Sequence, residues 1–242
     1  MKSISIVIPA YNEEQRLPST LEAIFDYLNR SAWPSAEVLV VDDGSTDATA
    51  AIVKQFSARY PGLRLLENPG NRGKGYAVRH GMLEAAGEWI LFTDADLSAP
   101  IEELDKLAAA CRQRSARVAI GSRALDRSLI RVHQSWLREN AGKLFNLLVR
   151  LLAGLPFRDT QCGFKLFERQ AAREVFRRQR LERFGFDVEI LFIARRLGIP
   201  AVEVPVRWSH AEGTKVNMWR DSCAMFLDLL RIRWNQLKGF YR

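Results

Sequence analysis

WILFTDAD, residues 89–96, is a short apolar run that ends in two carboxylates. The apolar part predicts a buried strand, and Asp94 and Asp96 follow directly at its carboxyl end. Two carboxylates one residue apart can hold a hard divalent cation such as Mg²⁺ or Mn²⁺. Ligands of an open α/β sheet bind outside the carboxyl ends of the strands, so such an ion would hold a diphosphate there. The alternative is a solvated turn capped by two aspartates, since Asp-x-Asp often occurs by chance.

The first half of the sequence alternates between strand and helix patterns. Further strands are predicted at Ser3–Ile8, Glu37–Val41, Leu63–Glu67 and Arg117–Gly121, and helices at Glu14–Arg30, Asp47–Arg59, Gly73–Ala86 and Ile101–Arg114. This alternation is typical of βαβ units, and continuous apolarity within the strands indicates burial on both faces. We therefore predict an α/β fold with a mainly parallel sheet flanked by helices.

The second half has a different pattern. We predict one or two amphipathic helices over Arg127–Leu155, a loop over Asp159–Lys165, helices near Glu168–Gln179 and Phe186–Leu197, a strand at Ala201–Val206 and a final amphipathic helix over Val216–Tyr241. Neither repeats nor an obvious linker interrupt the sequence, so we expect a single domain over residues 1–242.

The chain has 242 residues and a formal net charge of +8, which favours an anionic partner such as nucleic acid, a phosphate-rich ligand or an acidic membrane surface. The first hundred residues are acidic, whereas arginine is abundant from Arg112 onward. The sequence has no run of about 18 apolar residues, so we predict no membrane-spanning helix. The N-terminus has no signal-peptide pattern. Three distant cysteines favour a reducing compartment and no metal cluster.

Polar clusters follow three of the predicted strands. They are Pro9-Ala10-Tyr11-Asn12-Glu13, Asp42-Asp43-Gly44-Ser45 and Asp94-Ala95-Asp96. In a parallel sheet these strand ends lie at one edge and can converge. The alternative for the second cluster alone is a simple turn and helix cap, but three clusters at one edge are a far more specific signal.

These clusters resemble the motifs of family 2 glycosyltransferases, which have the nucleotide-diphospho-sugar fold called GT-A. The resembling stretches are Ile6–Glu13, Val40–Asp47 and Thr93–Asp96, in matching order and spacing. A second set looks like the dolichyl-phosphate glucosyltransferase branch: Asn71–Arg79, Gly121–Arg123, Asp159–Phe167, Phe186–Leu191, Val206–Trp208 and Gly213–Val216. The similarity covers nearly the whole chain. Eukaryotic members begin with a membrane helix, whereas this sequence starts at the first predicted strand.

The resemblance implies a site for a UDP-sugar donor. It assigns nucleotide-sugar binding to Pro9, Tyr11, Asn12, Glu13, Asp42, Asp43, Lys74 and Asp94, and catalytic roles to Asp94, Asp96 and Arg123. Asp42 would accept a hydrogen bond from the uracil N3–H, and Asp43 would order the turn. Asp96 would ligate Mg²⁺ or Mn²⁺, with Asp94 on the metal or the ribose. Lys74 and Arg123 would hold the diphosphate or the sugar hydroxyls.

The acceptor implied by the resemblance is a polyprenyl phosphate. A hydroxyl acceptor needs a general base, whereas a phosphate monoester is largely dianionic at pH 7 and can attack directly. The residues that would bind the acceptor phosphate are Arg127, Arg131, Arg138, Gln161, Lys165, Arg207 and Lys215. The alternative interpretation of each is a solvated residue on the surface. Asp187 and Glu189 would orient the arginines of this set or cap the helix after Gly185, unless one of them is the base for a hydroxyl acceptor.

We therefore predict an inverting, metal-dependent transferase that moves a hexose, glucose by preference, from a UDP-sugar to dolichyl or undecaprenyl phosphate. Residues 1–125 would bind the donor, 126–215 the acceptor, and 216–242 would form a helix that lies on a membrane or packs on the sheet. The expected location is cytoplasmic, peripheral on the cytoplasmic face of the membrane. Alternatives are a GDP-mannose donor, a hydroxyl acceptor, or a nucleotide- or nucleic-acid-binding module. Nucleic acid is disfavoured because the carboxylate edge repels a phosphate backbone.

Overall fold

The computed structural model describes residues 1–132, 147, 149, 152–210 and 218–242. The strands in this part of the chain are β1 (Ser3–Ala10), β2 (Ser35–Asp42), β3 (Leu63–Glu67), β4 (Trp89–Thr93), β5 (Val118–Ser122), β6 (Ile130–Val132), β7 (Phe164–Glu168), β8 (Ala201–Pro205) and β9 (Trp208–Ser209). The α-helices are α1 (Leu17–Arg30), α2 (Thr49–Arg59), α3 (Lys74–Glu84), α4 (Glu103–Arg114), α5 (Arg169–Arg178), α6 (Phe186–Arg196) and α7 (Met218–Leu237).

Seven of these strands form one sheet in the order β3-β2-β1-β4-β7-β5-β8, and β6 pairs with β9 separately. All neighbours in the large sheet are parallel except β7, which is antiparallel to both β4 and β5. The mainly parallel α/β sheet predicted from the sequence is thus confirmed.

Strand β7 differs from the sequence prediction, which placed a loop up to Lys165 and began a helix near Glu168. The strand covers Phe164–Glu168, and helix α5 begins at Arg169. Lys165 interrupts the apolar run, yet its neighbours Phe164 and Leu166 are fully buried. The burial of β7 between β4 and β5 therefore outweighs the cost of burying the charge of Lys165. That cost is reduced because Lys165 has a buried partner, described below.

Apolar residues of the strands alternate between two cores, one on each face of the sheet. Ile6 and Ile8 belong to one core, whereas Val7 between them belongs to the other. Val40 and Val41 divide in the same way. Successive side chains of a strand point to opposite faces, so a continuous apolar run fills both cores. The prediction of burial on both faces is confirmed.

Helix α1 holds the turn that follows β4. Pro18 lies in the first turn of the helix, where its missing N–H costs nothing. Two residues later, Thr20 donates a 2.6 Å hydrogen bond from its buried hydroxyl to the Ala95 carbonyl. The backbone between Asp94 and Asp96 is thereby fixed to the rigid helix, which positions both carboxylates.

Residues 127–132 do not form the helix predicted there: Arg127–Leu129 is a single 3₁₀ turn, and β6 follows. Most of that predicted helix lies outside the described residues. Among the described residues, no helix combines the length and the apolarity that crossing a bilayer requires.

Helix α7 has apolar residues on two sides. Leu229 and Ile232 are buried in the core that contains α6. The opposite side, which we call the α7 strip, is exposed and consists of Phe226, Leu227, Leu230, Trp234 and Leu237. Trp234 is 59% exposed and Leu237 is 78% exposed. The helix therefore packs on the domain and still presents an apolar surface to its surroundings.

Candidate active site

The carboxyl ends of β1, β2 and β4 meet at one edge of the sheet, as the sequence predicted. β1 lies between the other two strands and is parallel to both, with Ala10 opposite Asp42. The loops after β1 and β2 are joined by hydrogen bonds: the Asn12 amide donates to Ser45 Oγ at 2.9 Å, and the Thr46 amide donates to Asn12 Oδ1 at 2.8 Å. The predicted base-binding residues Pro9, Tyr11, Asn12 and Glu13 lie on this joined segment.

Asp42 and Asp43 are both buried but have different contacts. Asp43 accepts from the Asn68 side chain at 2.8 Å and from the amides of Arg72 and Gly73 at 3.2 and 2.7 Å. Asp42 uses Oδ1 for the amide and hydroxyl of Ser45, and its Oδ2 has no hydrogen-bond partner among the described residues. The geometry therefore favours Asp42 over Asp43 as the acceptor for a nucleobase, in keeping with the roles predicted for the two residues.

Gly44 allows the loop over residues 68–73 to approach this edge. Its φ is +75°, in the left-handed region, and a Cβ at this position would lie 2.6 Å from the Cα of Gly70. Only glycine fits both the conformation and the contact. The loop that leads to Lys74 is thus packed directly on the turn that follows Asp42.

Lys74, at the first position of α3, makes an ion pair with Asp94. Its Nζ lies 2.5 Å from Asp94 Oδ1, and both side chains are partly exposed. Burial lowers the pKa of Lys74, but the negative charges of Asp94 and Asp187 outweigh this effect and raise it. An ammonium held in this position shows that the end of β4 attracts a cation.

Asp96 keeps most of its carboxylate available. Its only hydrogen bond with the described residues is the one that Oδ1 accepts from the Ser98 amide at 2.9 Å. No group of three His, Cys, Asp or Glu residues in the described part of the chain can enclose a metal. Asp94 and Asp96 fit a divalent cation that takes its remaining ligands from a diphosphate and water, since hard cations bind carboxylates and phosphates in this way.

Lys165 does not lie where an acceptor phosphate can reach it, so its predicted role is wrong. The side chain is fully buried, and Nζ donates to the Cys162 carbonyl at 2.7 Å and to the Asp187 carboxylate. Nζ also lies 5.1 Å from the centre of the Phe92 ring. Burial raises the pKa of Asp187 despite the opposing charges of Lys165 and Lys74. This pair stabilises the sheet behind Asp94 and Lys74.

Arg123 is held by a buried carboxylate. Its Nε and Nη2 donate to Asp159 at 2.7 and 2.9 Å, and its guanidinium lies 5.4 Å from the Trp208 ring centre. Burial raises the pKa of Asp159, but Arg123 outweighs burial and lowers that pKa to about 2. Arg207 is held in the same way by Glu103 and lies near Glu102. Both predicted arginines therefore present fixed guanidinium groups that are already ion-paired.

The Asp159 pair predicts a pH dependence of stability. Because the folded pKa of about 2 lies below the ordinary value of 3.8 for an aspartate, Asp159 stabilises the fold above pH 4. That stabilisation, about 2 kcal/mol, is lost as the pH falls from 4 to 2. In urea unfolding at several pH values, Asp159→Asn is expected to be less stable at pH 7 and to lose less stability between pH 4 and pH 2. Parallel pH profiles for the two proteins would contradict the assignment.

The remaining predicted acceptor residues are dispersed. Arg127 and Arg131 are exposed at the 3₁₀ turn and on β6. Gln161 donates from Nε2 to Met225 Sδ at 3.1 Å, which connects the loop before β7 with α7. Arg138 and Lys215 lie outside the described residues.

Among the described residues, neither carboxylate of α6 orients an arginine side chain, and neither caps α6. Asp187 pairs with Lys165. Glu189 is fully buried and accepts from the amides of Arg180 and Leu181 and from the Tyr241 hydroxyl. Glu189 therefore fastens the end of the chain to the loop that precedes α6.

Sequence reasoning missed that loop, residues 179–184, which packs against the start of α3. The Tyr76 amide donates to the Glu182 carbonyl at 3.0 Å, and Arg72 Nη2 donates to Glu182 Oε1 at 2.7 Å. Gln179 Nε2 donates to the Gly75 carbonyl at 2.8 Å. The available signal was a run of alternating charges between two predicted helices, which is equally typical of a solvated loop.

The mainly parallel sheet, with carboxylates at the ends of β1, β2 and β4, agrees with the glycosyltransferase class that the sequence motifs resemble. The chain belongs to glycosyl transferase family 2, whose family model matches residues 5–176. Among curated relatives it is similar to the dolichyl-phosphate beta-glucosyltransferase of Drosophila melanogaster, with 42% identity over 99% of this chain and 77% of the relative. The human enzyme of that name is 38% identical over 100% of this chain and 78% of the relative. That of Saccharomyces cerevisiae is 36% identical over 99% and 76%.

Solved structures of glucosyl-3-phosphoglycerate synthase from Mycobacterium tuberculosis share the fold. One matches with a TM-score of 0.67 and 22% identity, over 96% of this chain and 80% of that chain. Another, a complex with Mn²⁺, uridine-diphosphate and phosphoglyceric acid, matches with a TM-score of 0.65 and 20% identity, over 96% and 78%.

Proposed function

We propose that this protein transfers glucose from UDP-glucose to a polyprenyl phosphate, with inversion at the anomeric carbon. The observation that carries the proposal is the state of the buried carboxylates around the site. Asp159 is paired with Arg123, Asp187 with Lys165, and Glu103 with Arg207. Carboxylates in ion pairs are poor general bases, and a phosphate acceptor needs none. Similarity to dolichyl-phosphate beta-glucosyltransferases over nearly the whole chain supports the same conclusion.

The donor would bind at the edge formed by β1, β2 and β4. Asp42 Oδ2 would accept from the uracil N3–H, and the segment from Pro9 to Glu13 would enclose the base and ribose. Asp94 and Asp96 would hold Mg²⁺ or Mn²⁺, which neutralises the negative charge that develops on the departing diphosphate. Lys74, already at Asp94, would be near enough to share that charge. Mn²⁺ and UDP-glucose occur together in a glucosyl-3-phosphoglycerate synthase complex of this fold.

The transfer would be a single displacement. An oxygen of the acceptor phosphate forms the new bond to the anomeric carbon while the bond from that carbon to the diphosphate breaks. Since no enzyme nucleophile intervenes, the configuration inverts once. The fixed cations on the acceptor side, Arg123 and Arg207 among them, would favour the approach of an anion.

A panel of donors and acceptors tests this function. UDP-glucose, UDP-galactose, UDP-N-acetylglucosamine and GDP-mannose, each radiolabelled, are offered with polyprenyl phosphate and with a polyprenol that carries a free hydroxyl. We expect transfer from UDP-glucose to the phosphate, giving a lipid that mild acid cleaves. Preferred transfer from GDP-mannose, or to the hydroxyl lipid, would overturn the proposal.

We further propose that the α7 strip lies on the cytoplasmic face of a membrane that holds the acceptor. The strip is exposed, and Arg231, Arg233 and Lys238 lie on the same helix or just beyond it. An apolar helix face with flanking cations binds an interface that contains anionic lipids, at about 1 kcal/mol for each cation.

Trp234→Glu is expected to weaken binding to vesicles that contain anionic lipid by about tenfold or more. Removing an indole from the interface loses about 2 kcal/mol of apolar burial, and the new charge adds to this loss. Co-sedimentation with vesicles at low and high salt measures the effect. Gln236→Glu adds the same charge to α7 at a residue outside the strip and should bind nearly as well as the parent protein. Equal loss in both variants would contradict a specific role of the strip.

A further inference from the structure

A groove of about 360 Å³ lies between the loop over residues 179–184 and helix α7. Its walls combine apolar side chains with three cations, Arg180, Arg183 and Arg231, and two carboxylates, Glu182 and Asp228. This volume is typical of a small-molecule site. A groove with both characters suits an amphiphile that carries an anionic group and a hydrocarbon chain.

One end of the groove adjoins the donor site. The loop that forms one wall is bonded to the start of α3, where Glu182 accepts from the Tyr76 amide at 3.0 Å. A Cβ at Gly73 would lie 3.2 Å from the Cγ of Arg183. Arg183 therefore packs against Gly73, which directly precedes Lys74. The ammonium of Lys74 contacts Asp94.

The other wall connects the groove with the α7 strip. Leu227 belongs both to the groove and to the strip and is 54% exposed. Met225 contacts Gln161 from the loop before β7, which brings the acceptor side of the site to the same wall. A continuous path therefore leads from the donor edge, through the groove, to the exposed apolar surface of the helix.

The charged residues of the groove differ in how they are used. Arg231 pairs with Asp228, and the Arg180 guanidinium lies 5.1 Å from the Phe240 ring centre. The exposed guanidinium of Arg183 has no hydrogen bond or ion pair with any described residue. At the end nearest the donor, Arg183 is thus a cation that can pair with a phosphate at little cost.

We propose that this groove binds the acceptor lipid: Arg183 contacts its phosphate, and Leu181, Phe184 and Met225 contact the isoprenoid units next to it. This assignment rests on the proposed function. The groove is too small for a whole polyprenyl chain, so the rest of the chain runs along the α7 strip into the membrane. The substrate would then enter from the side of α7, while the nucleotide enters over the ends of β1 and β2.

Filling the groove tests the proposal. Ala224 is an exposed groove residue on α7, and Ala224→Trp places an indole in the path of the lipid. With UDP-glucose as donor, we expect at least a tenfold rise in KM for a long-chain polyprenyl phosphate and an unchanged KM for UDP-glucose. Ala58→Trp, the same change at an exposed alanine of α2 outside both the groove and the α7 strip, is the control and should leave both values within about twofold.

Arg183 is tested in parallel because its substitution removes no buried contact. Arg183→Ala should raise KM for polyprenyl phosphate at least tenfold without changing UDP affinity measured by calorimetry, and Arg183→Lys should recover part of the loss. Suppose that the parent protein glucosylates polyprenyl phosphate but that Ala224→Trp and Arg183→Ala both leave the acceptor KM unchanged. That result overturns the assignment of the groove and leaves the proposed function standing. A parent protein that binds UDP-glucose but glucosylates only hydroxyl lipids overturns the proposed function and the groove assignment with it.

Discussion

Asp96→Ala is expected to lower the rate of glycosyl transfer on the order of a thousandfold or more while the protein remains folded. A carboxylate that helps to hold the metal supports several kcal/mol of charge stabilisation on the leaving diphosphate, and each 1.4 kcal/mol is about tenfold in rate. Folding should survive because the only hydrogen bond of Asp96 among the described residues is with the Ser98 amide. Steady-state transfer assays with Mg²⁺ or Mn²⁺, together with thermal unfolding, measure both effects.

Two variants separate the charge of Asp96 from its turn contact. Asp96→Asn keeps an oxygen for the Ser98 amide but removes the charge, so it should lose nearly as much activity as Asp96→Ala. Asp126 makes the same kind of turn, accepting from the Ser128 amide at 3.0 Å, far along the chain from the β4 edge. Asp126→Asn should therefore retain activity. Wild-type turnover in Asp96→Ala would refute the role of the β4 end in donor binding.

Lys165→Met is expected to destabilise the fold by about 3–5 kcal/mol at pH 7. Lys165 is buried on β7 of the sheet, and Asp187 is buried on α6. Removing one partner leaves the charge of the other without compensation in a region of low polarity. Burial already raises the pKa of Asp187, so in the variant its carboxyl would be protonated or would draw Lys74 away from Asp94. Urea unfolding at pH 7 measures the loss.

An exposed pair provides the matched control. Lys54 and Glu67 lie 3.3 Å apart, with side chains 62% and 57% exposed, and Lys54→Met should change stability by less than about 1 kcal/mol. Replacing both members of the buried pair, Lys165→Met with Asp187→Leu, should recover most of the stability because no unpaired charge remains. A loss in Lys165→Met as small as that in Lys54→Met would show that the pair contributes little.

The sequence was sufficient to predict the parallel strands and the convergence of their ends. Each of these strands is a continuous apolar run followed by a polar cluster, and both properties are local. Asp94, Asp96 and Asp42 lie at the predicted edge because the order of parallel neighbours follows from βαβ connections.

Pairings over long distances in the sequence could not be predicted. Lys165 looked like a phosphate ligand because its partner, Asp187, lies 22 residues away on another element. Arg207 likewise meets Glu103 across 104 residues. Whether a cation is free or already paired depends on the packing of the whole sheet. Arg183 could not be predicted for the same reason, since it lies in a loop without a recognisable sequence pattern.

Strand β7 has a consequence for how the chain is made. β5 and β8 join the sheet only through β7, which comes from the acceptor part of the sequence. During synthesis, β4 therefore has an unpaired edge until residues up to Glu168 have left the ribosome, and such an edge can pair with other chains. Strands from the proposed donor part and from the proposed acceptor part form one sheet. Separating them at residue 125 would leave the donor part with an open, aggregation-prone edge.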